Sequence, residues 1–194
     1  MRGVIVFVKN PELGKVKTRL AATLGDEKAL EIYLKLLYYT RDVLMDVKDA
    51  ERYVYYSSFI DNNDKWPNQI FEKRLQQQGD LGNRITSAFQ AVFESCEQVV
   101  IIGSDCPQLT AGHIQDAFQV LESNDVVMGP SHDGGYYLLG IKEYYPALFQ
   151  EISWSTDKVF EETLQVAKQK NLKVGRLEVL TDIDYAEDWE KYGF

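Results

Sequence analysis

Apolar residues recur along this chain in two rhythms. Val4–Val8 and Val99–Ile102 are unbroken runs rich in β-branched residues, the mark of strands covered on both faces in a parallel sheet. Tyr53–Ser58, Asp125–Met128 and Lys173–Leu180 read as further strands, and Tyr137–Ile141 as one that follows a double glycine. Helical spacing fills the intervals. A short helix is predicted over Thr18–Leu24. Gly25-Asp26 reads as its stop and as the N-cap of a longer helix to about Val47. In that helix Leu30, Tyr33, Leu34, Leu37, Leu44 and Met45 repeat on one face, widened by Ile32, Leu36, Val43 and Val47. So broad a face is either deeply packed or shared with a partner subunit, which leaves a homodimer open. Further helices are predicted at Leu81–Glu94, from Thr110 to Leu121, at Thr156–Lys170 and at Ala186–Tyr192, with a polar loop at Phe59–Gln69.

Alternating buried strands and helices predict an α/β fold with a mostly parallel sheet flanked by helices. Tyr137–Ile141 lies too near the preceding strand for a helical crossover, so it should interrupt the doubly wound order. No repeat, low-complexity tract or Pro/Gly-rich linker divides residues 1–194, and one domain is expected.

Composition narrows the function classes. The chain has 194 residues, 45% hydrophobic and 26% charged, enough for a real core. Its formal net charge of −9 opposes nucleic acid as the main partner. Any phosphate it binds must therefore meet a local cluster of cations. No stretch approaches the ~18–20 apolar residues of a membrane span. The start has too short an apolar run for a signal peptide, and Cys96 and Cys106 form no metal or disulfide pattern. A reduced cytoplasmic setting is expected.

Ligands of open α/β sheets bind beyond the carboxyl ends of the strands. Here those ends read Lys9-Asn10-Pro11, Ser57-Ser58, Ser104-Asp105, Gly129-Pro130 and Thr181-Asp182-Ile183-Asp184. The loop from Lys9 to Leu20 carries Gly14 and the cations Lys9, Lys15, Lys17 and Arg19, with Thr18 opening a helix; it suits phosphate or is a solvated basic loop. Both GxGxxG and GxxxxGK[ST] are absent. Asp105 with Asp184, and Asp182 beside them, are oxygen donors suited to Mg²⁺ or Mn²⁺, unless the later pair merely caps the last helix. Asp133, Gly134, Gly135 and Tyr136 form a second candidate loop that a ligand could approach closely, or a tight turn. Gln76-Gln77-Gln78-Gly79-Asp80-Leu81-Gly82-Asn83-Arg84 suits a base edge or an ordinary capped loop, with Gln78, Gly79, Asp80, Gly82 and Arg84 as its candidate contacts. Trp154 and Ser155 either cover an acceptor or pack.

Taken together, these residues resemble the nucleotide-diphospho-sugar transferase superfamily with the GT-A fold, a Rossmann-like single domain. The closer likeness is to the DUF2064 group of small bacterial proteins, generally assigned as glycosyltransferases. It rests on Lys9-Asn10-Pro11 through Lys17-Thr18-Arg19-Leu20-Ala21, on Gln78 to Arg84, and on Gly103-Ser104-Asp105-Cys106-Pro107. Gly129-Pro130 with Asp133 to Tyr137, and Asp182-Ile183-Asp184 with Glu187-Asp188, complete it. The resemblance implies a metal-dependent transferase, with Asp105 and Asp184 as metal ligands. It implies a nucleotide or nucleotide-sugar donor held by Lys9, Asn10, Gly14, Lys15, Lys17, Thr18, Arg19 and Ser104, and by the Gln78–Arg84 segment. A small-molecule acceptor would meet Asp133 to Tyr136, Trp154 and Ser155, with Asp133, Arg19 and Lys17 as catalytic groups. Glycosyl transfer is the leading expectation. Ser104-Asp105-Cys106 stands where glycosyltransferases of this fold usually carry Asp-x-Asp. Phospholactate guanylyltransferases also carry a Lys-rich loop ending in Ser-Arg-Leu. Nucleotidyl transfer with pyrophosphate release is therefore the alternative, and a non-catalytic nucleotide-binding protein a third.

Overall fold

The first apolar run forms strand β1 (Arg2–Val8), and the computed structural model, which describes residues 1–194, builds the sheet outward from it. One flank carries β2 (Ala50–Tyr56) and then β3 (Glu72–Leu75); the other carries β4 (Gln98–Ile102). All three pairings are parallel. Beyond β4 lie β6 (Tyr136–Ile141), β5 (Val126–Pro130) and β7 (Val174–Arg176), giving the order β3-β2-β1-β4-β6-β5-β7. Only five residues, 131–135, join β5 to β6, too few for a crossover helix. β6 accordingly runs antiparallel to both β4 and β5, the interruption the sequence predicts.

Alternate residues of the strands feed two cores, as a sheet covered on both faces requires. Val4, Val6 and Val8 pack with Tyr33, Leu37 and Leu44 of α2 (Asp26–Asp46) and with Ile114 and Phe118 of α4 (Ala111–Leu121). Ile5 faces the opposite layer, with Ile85 and Phe89 of α3 (Leu81–Val92) and Phe160 of α5 (Val159–Gln169). A third, smaller core lies off the sheet, where Leu20 of α1 (Thr18–Leu24) meets Ile32 and Leu36 of α2, Ile183, and Ala186 of α6 (Ala186–Tyr192). The broad apolar face of α2 is thereby explained within one chain: Tyr33 and Leu37 serve one core, Ile32 and Leu36 another.

Four details differ from the pattern. β3 was not predicted: its sequence Glu72-Lys73-Arg74-Leu75 is polar because it is an edge strand. The polar segment before it hides Trp66, 2% exposed, stacked edge-on against Phe71. Helix α5 starts at Val159 and not near Thr156, because Thr156 Oγ1 donates to the Ser153 carbonyl and accepts from Lys158 N, turning the chain before the helix begins. β7 covers only three residues, after which the chain keeps a single bridge, Ser131 to Leu180. No helix is long and apolar enough to cross a membrane.

Candidate active site

Apolar anchors place every charged group of the site. Val16 is buried against the sheet and Leu20 in the off-sheet core, so Lys17 and Arg19 between them are held over the end of β1. Lys17 takes a left-handed conformation (φ 47°, ψ 47°) at the start of α1, which turns its side chain inward. Cys106 and Leu109 sink into the core beyond β4 and fix Asp105 at the strand's mouth. Ile183, fully buried, separates Asp182 from Asp184, and its N–H donates to the Asp105 carbonyl at 2.9 Å.

These anchors make Lys17, Asp105, Arg19 and Asp184 one cluster. Lys17 Nζ lies 2.8 Å from Asp105 Oδ2 and 3.4 Å from Asp184 Oδ1, and Arg19 Nη1 lies 2.8 Å from Asp184 Oδ2. The Lys17 side chain is 8% exposed. Burial pulls its ammonium down, but Asp105 and then Asp184 outweigh that and hold it above its ordinary value. Neither Asp182 nor Asp184 caps α6. That role falls to Asp188, whose Oδ2 accepts from the N–H groups of Asp184 and Tyr185.

Asp182 is in the opposite situation. Its Oδ1 is shielded from solvent and has no hydrogen-bond partner. Burial pushes its carboxyl well above the usual range, and the charges of Asp105 and Asp133 add to the effect. A shielded carboxylate oxygen without a partner, beside two more carboxylates, is a hard-oxygen donor set of the kind Mg²⁺ and Mn²⁺ prefer, so the residues fit such an ion. In the chain alone no three His, Cys, Asp or Glu side chains close on one point, and the Lys17 ammonium bridges the carboxylates.

Two clefts meet at this cluster, and Arg19, Asp105 and Asp184 line both. The first, about 450 Å³, lies over β1 and β2 and has Lys9, Lys17, Arg19 and Arg84 in its walls. Gln76 closes its base, donating from Nε2 to the carbonyls of Val8 and Tyr55 at 3.2 and 2.9 Å. The Tyr33 hydroxyl, raised to about 12 by burial, clamps the Lys9 backbone from both sides: it accepts from N at 2.9 Å and donates to O at 2.7 Å. Thr18 and Ser104 also line this cleft.

The second cleft, about 430 Å³, opens between β4 and the 131–135 and 153–158 loops. Asp133, Gly135, Tyr136, Trp154 and Ser155 line it, with Asp182. Asp133 Oδ1 accepts from Gly135 N at 3.0 Å and from the Ser131 hydroxyl, an Asx turn that fixes the carboxylate. Gly134 is left-handed (φ 87°), and a Cβ there would overlap the Asp157 backbone; its carbonyl accepts from Phe160 N at 2.9 Å. The two loops are thus clasped together at a point only glycine permits.

Several candidate residues stand apart from both clefts. Asn10 is buried and ties the chain locally: its side chain accepts from the N–H groups of Ser58 and Phe59 and donates to the Phe59 carbonyl. Gly14 occupies a left-handed turn, and Lys15 pairs with Glu12 in solvent. Asp80 caps α3 by accepting from Asn83 N at 2.8 Å. The Gly79 carbonyl accepts from Arg84 Nε, and Gln78 and Gly79 line neither cleft. Gly82 is packed beneath the Trp154 indole, where a side chain would overlap it. Ser57, read as a polar strand end, and Gln76, which opens the amide-rich segment, line the cationic cleft, while Phe7 and Asp157 line the clefts without having been predicted. Phe7 stands at the carboxyl end of β1, where position alone is a signal; Asp157 carried none.

Comparison with known proteins places the chain in a family and a fold. The family model described as an uncharacterized protein conserved in bacteria (DUF2064) matches residues 40–156. A protein from Desulfovibrio desulfuricans G20, provisionally assigned as a nucleotide-diphospho-sugar transferase, superposes with a TM-score of 0.87 at 32% identity. The match covers 95% of this chain and 82% of that one. The 2-phospho-L-lactate guanylyltransferase of Methanocaldococcus vulcanius is 26% identical over 88% of this chain and 74% of its own length. A Mycobacterium tuberculosis H37Rv protein solved in complex with manganese shares the fold alone, with a TM-score of 0.58 at 12% identity over 98% of this chain and 96% of its own. The chain belongs to the DUF2064 family and has the nucleotide-diphospho-sugar transferase fold.

Proposed function

We propose that this chain is a nucleotidyltransferase, which joins the nucleoside monophosphate of an NTP to a small phosphomonoester and releases pyrophosphate. What supports this most is the split of charge between the two clefts. Four cations line the first, as a triphosphate of about −4 requires, while the second has only the shared Arg19. The guanylyltransferase likeness over most of the chain points the same way.

Lys9, Lys17, Arg19 and Arg84 hold the triphosphate in the cationic cleft. An oxygen of the acceptor phosphate, in the second cleft, attacks the α-phosphorus. The new P–O bond forms as the bond to the β-phosphate oxygen breaks, and the electron pair leaves with pyrophosphate. Arg19 borders both clefts, so it steadies charge on the incoming and departing sides; one preorganised donor of this kind contributes roughly 2.7–4 kcal/mol. Asp105 and Asp184 would hold Mg²⁺ or Mn²⁺, which supplies further neutralisation of phosphate charge. A phosphate whose second pKa is near ~6 is already ionised at neutral pH and needs no base. Asp133 then orients the acceptor without taking a proton.

A second reading, glycosyl transfer from a nucleotide-sugar, is favoured by the assignment of the Desulfovibrio relative. It makes Asp133 the base for an acceptor hydroxyl. Product analysis separates the two. Pyrophosphate released from NTP in the presence of phosphomonoesters and Mg²⁺ supports nucleotidyl transfer; nucleoside diphosphate released from nucleotide-sugars supports the other. Saturable nucleotide binding with no turnover on either panel would make the chain a sensor. A nucleotide at about 100 times its Kd should stabilise the fold by roughly 2.7 kcal/mol. Asp105→Ala is expected to remove the metal-dependent part of that shift, and an undiminished shift would take Asp105 out of the metal site.

A further inference from the structure

We propose that the acceptor is a phosphomonoester whose far end carries an amine or quaternary ammonium group and no carboxylate; this rests on the nucleotidyl-transfer reading above. What supports this is the charge content of the second cleft. Its one cation, Arg19, sits where the two clefts join, so it is committed to phosphate. Of its carboxylates other than Asp182, Asp105 and Asp184 already face Lys17 and Arg19, and would face a divalent ion. Asp133 and Asp157 remain, and neither of them is paired with a cation.

Both are placed by the fold. The hydrogen bonds of Asp133 all fall on Oδ1, which holds the carboxylate in position and leaves Oδ2 for a ligand. Asp157 stands on the exposed loop clasped to Gly134. Around them the walls are aromatic and aliphatic, with Trp154, Tyr136 and Phe7 among them. An ammonium group gains from both kinds of wall, since carboxylates attract it and aromatic faces carry negative charge toward it. A carboxylate tail gains from neither and is repelled by the acids. The volume of about 430 Å³ suits a small molecule. On this basis the chain differs in acceptor from the guanylyltransferase relative, whose name specifies a phospho-carboxylate.

Three acceptors of similar length test this: phosphoethanolamine, propyl phosphate and phosphoglycolate, each with NTP and Mg²⁺. Phosphoethanolamine should give a kcat/KM about tenfold or more above the other two. Equal values, or phosphoglycolate ahead, would overturn the inference. If no NTP yields pyrophosphate with any acceptor, nucleotidyl transfer fails, and binding then decides the inference separately. Quenching of Trp154 fluorescence is titrated with the same three compounds, with Trp154→Phe used to identify the signal. Tightest binding of phosphoethanolamine supports the assignment; equal or reversed affinities refute it. Asp157→Lys, at an exposed position the fold tolerates, should invert the order in whichever assay responds, and an unchanged order would count against it.

Discussion

Asp182 carries a carboxyl group that the fold shields but does not neutralise. Because burial raises its pKa, the folded chain binds this proton more tightly than the unfolded chain does. The stability it contributes is complete below the ordinary carboxylate range and is lost as pH rises from there through the folded pKa. Asp182→Asn should remove that loss. Melts followed by circular dichroism should show the variant gaining on the parent as pH rises out of the ordinary carboxylate range. Parallel melting curves across that rise would refute it. Asp133 offers a test of the chemistry: under nucleotidyl transfer Asp133→Asn should lower kcat/KM by about tenfold or less, whereas a base mutant should lose about 10²–10⁴. These single residues were legible in the sequence only where position marked them. Asp105 and Asp184 follow strands, and Lys17 and Arg19 open a helix after one. The role of Asn10 was not legible, because a buried amide that ties a loop and a polar residue that greets a ligand look alike until the partners are seen.

Loops, not helices or strands, set the width of the acceptor cleft. The 131–135 and 153–158 segments touch where Gly134 leaves no room for a side chain. Gly134→Ala therefore meets both a left-handed backbone and the Asp157 carbonyl. Gly25→Ala meets a similar φ, 82°, with nothing within 4 Å of the new Cβ. Urea melts of the two variants separate strain from overlap. Gly25→Ala, at φ 82° and ψ 160°, should cost about 1–3 kcal/mol, and Gly134→Ala more, with acceptor response lost and nucleotide binding kept. Equal losses would mean that the clasp does not matter. At this scale the sequence was readable wherever burial wrote a pattern. Helix α1 spans Thr18–Leu24 as its spacing predicts, and β6 departs from parallel order as its short connection demands. Strand β3 was unreadable for the converse reason. An edge strand whose side chains reach water has no apolar rhythm to detect, and its pairing with β2 is made by backbone alone.

Across the whole molecule, the field seen by an approaching nucleotide has two ranges with opposite signs. The chain carries −9 overall, and the acceptor cleft beside the cationic one is walled by five carboxylates. At a distance an NTP is repelled; within contact it meets Lys9, Lys17, Arg19 and Arg84. Salt acts unequally on the two. The repulsion extends through solvent and is largely screened once the Debye length falls to ~10 Å at 0.1 M ionic strength. The contacts at the Lys17 cluster are partly sheltered from solvent and are screened less. Raising salt from about 20 to 150 mM should therefore speed association, by roughly two- to threefold, while dissociation also quickens as the exposed cations, Arg19 first, loosen. Stopped-flow binding of an NTP at several salt concentrations measures both rates. An association rate that falls with salt would mean that the four cations dominate the field even at long range, so that the acidic surface neither delays the nucleotide nor steers it.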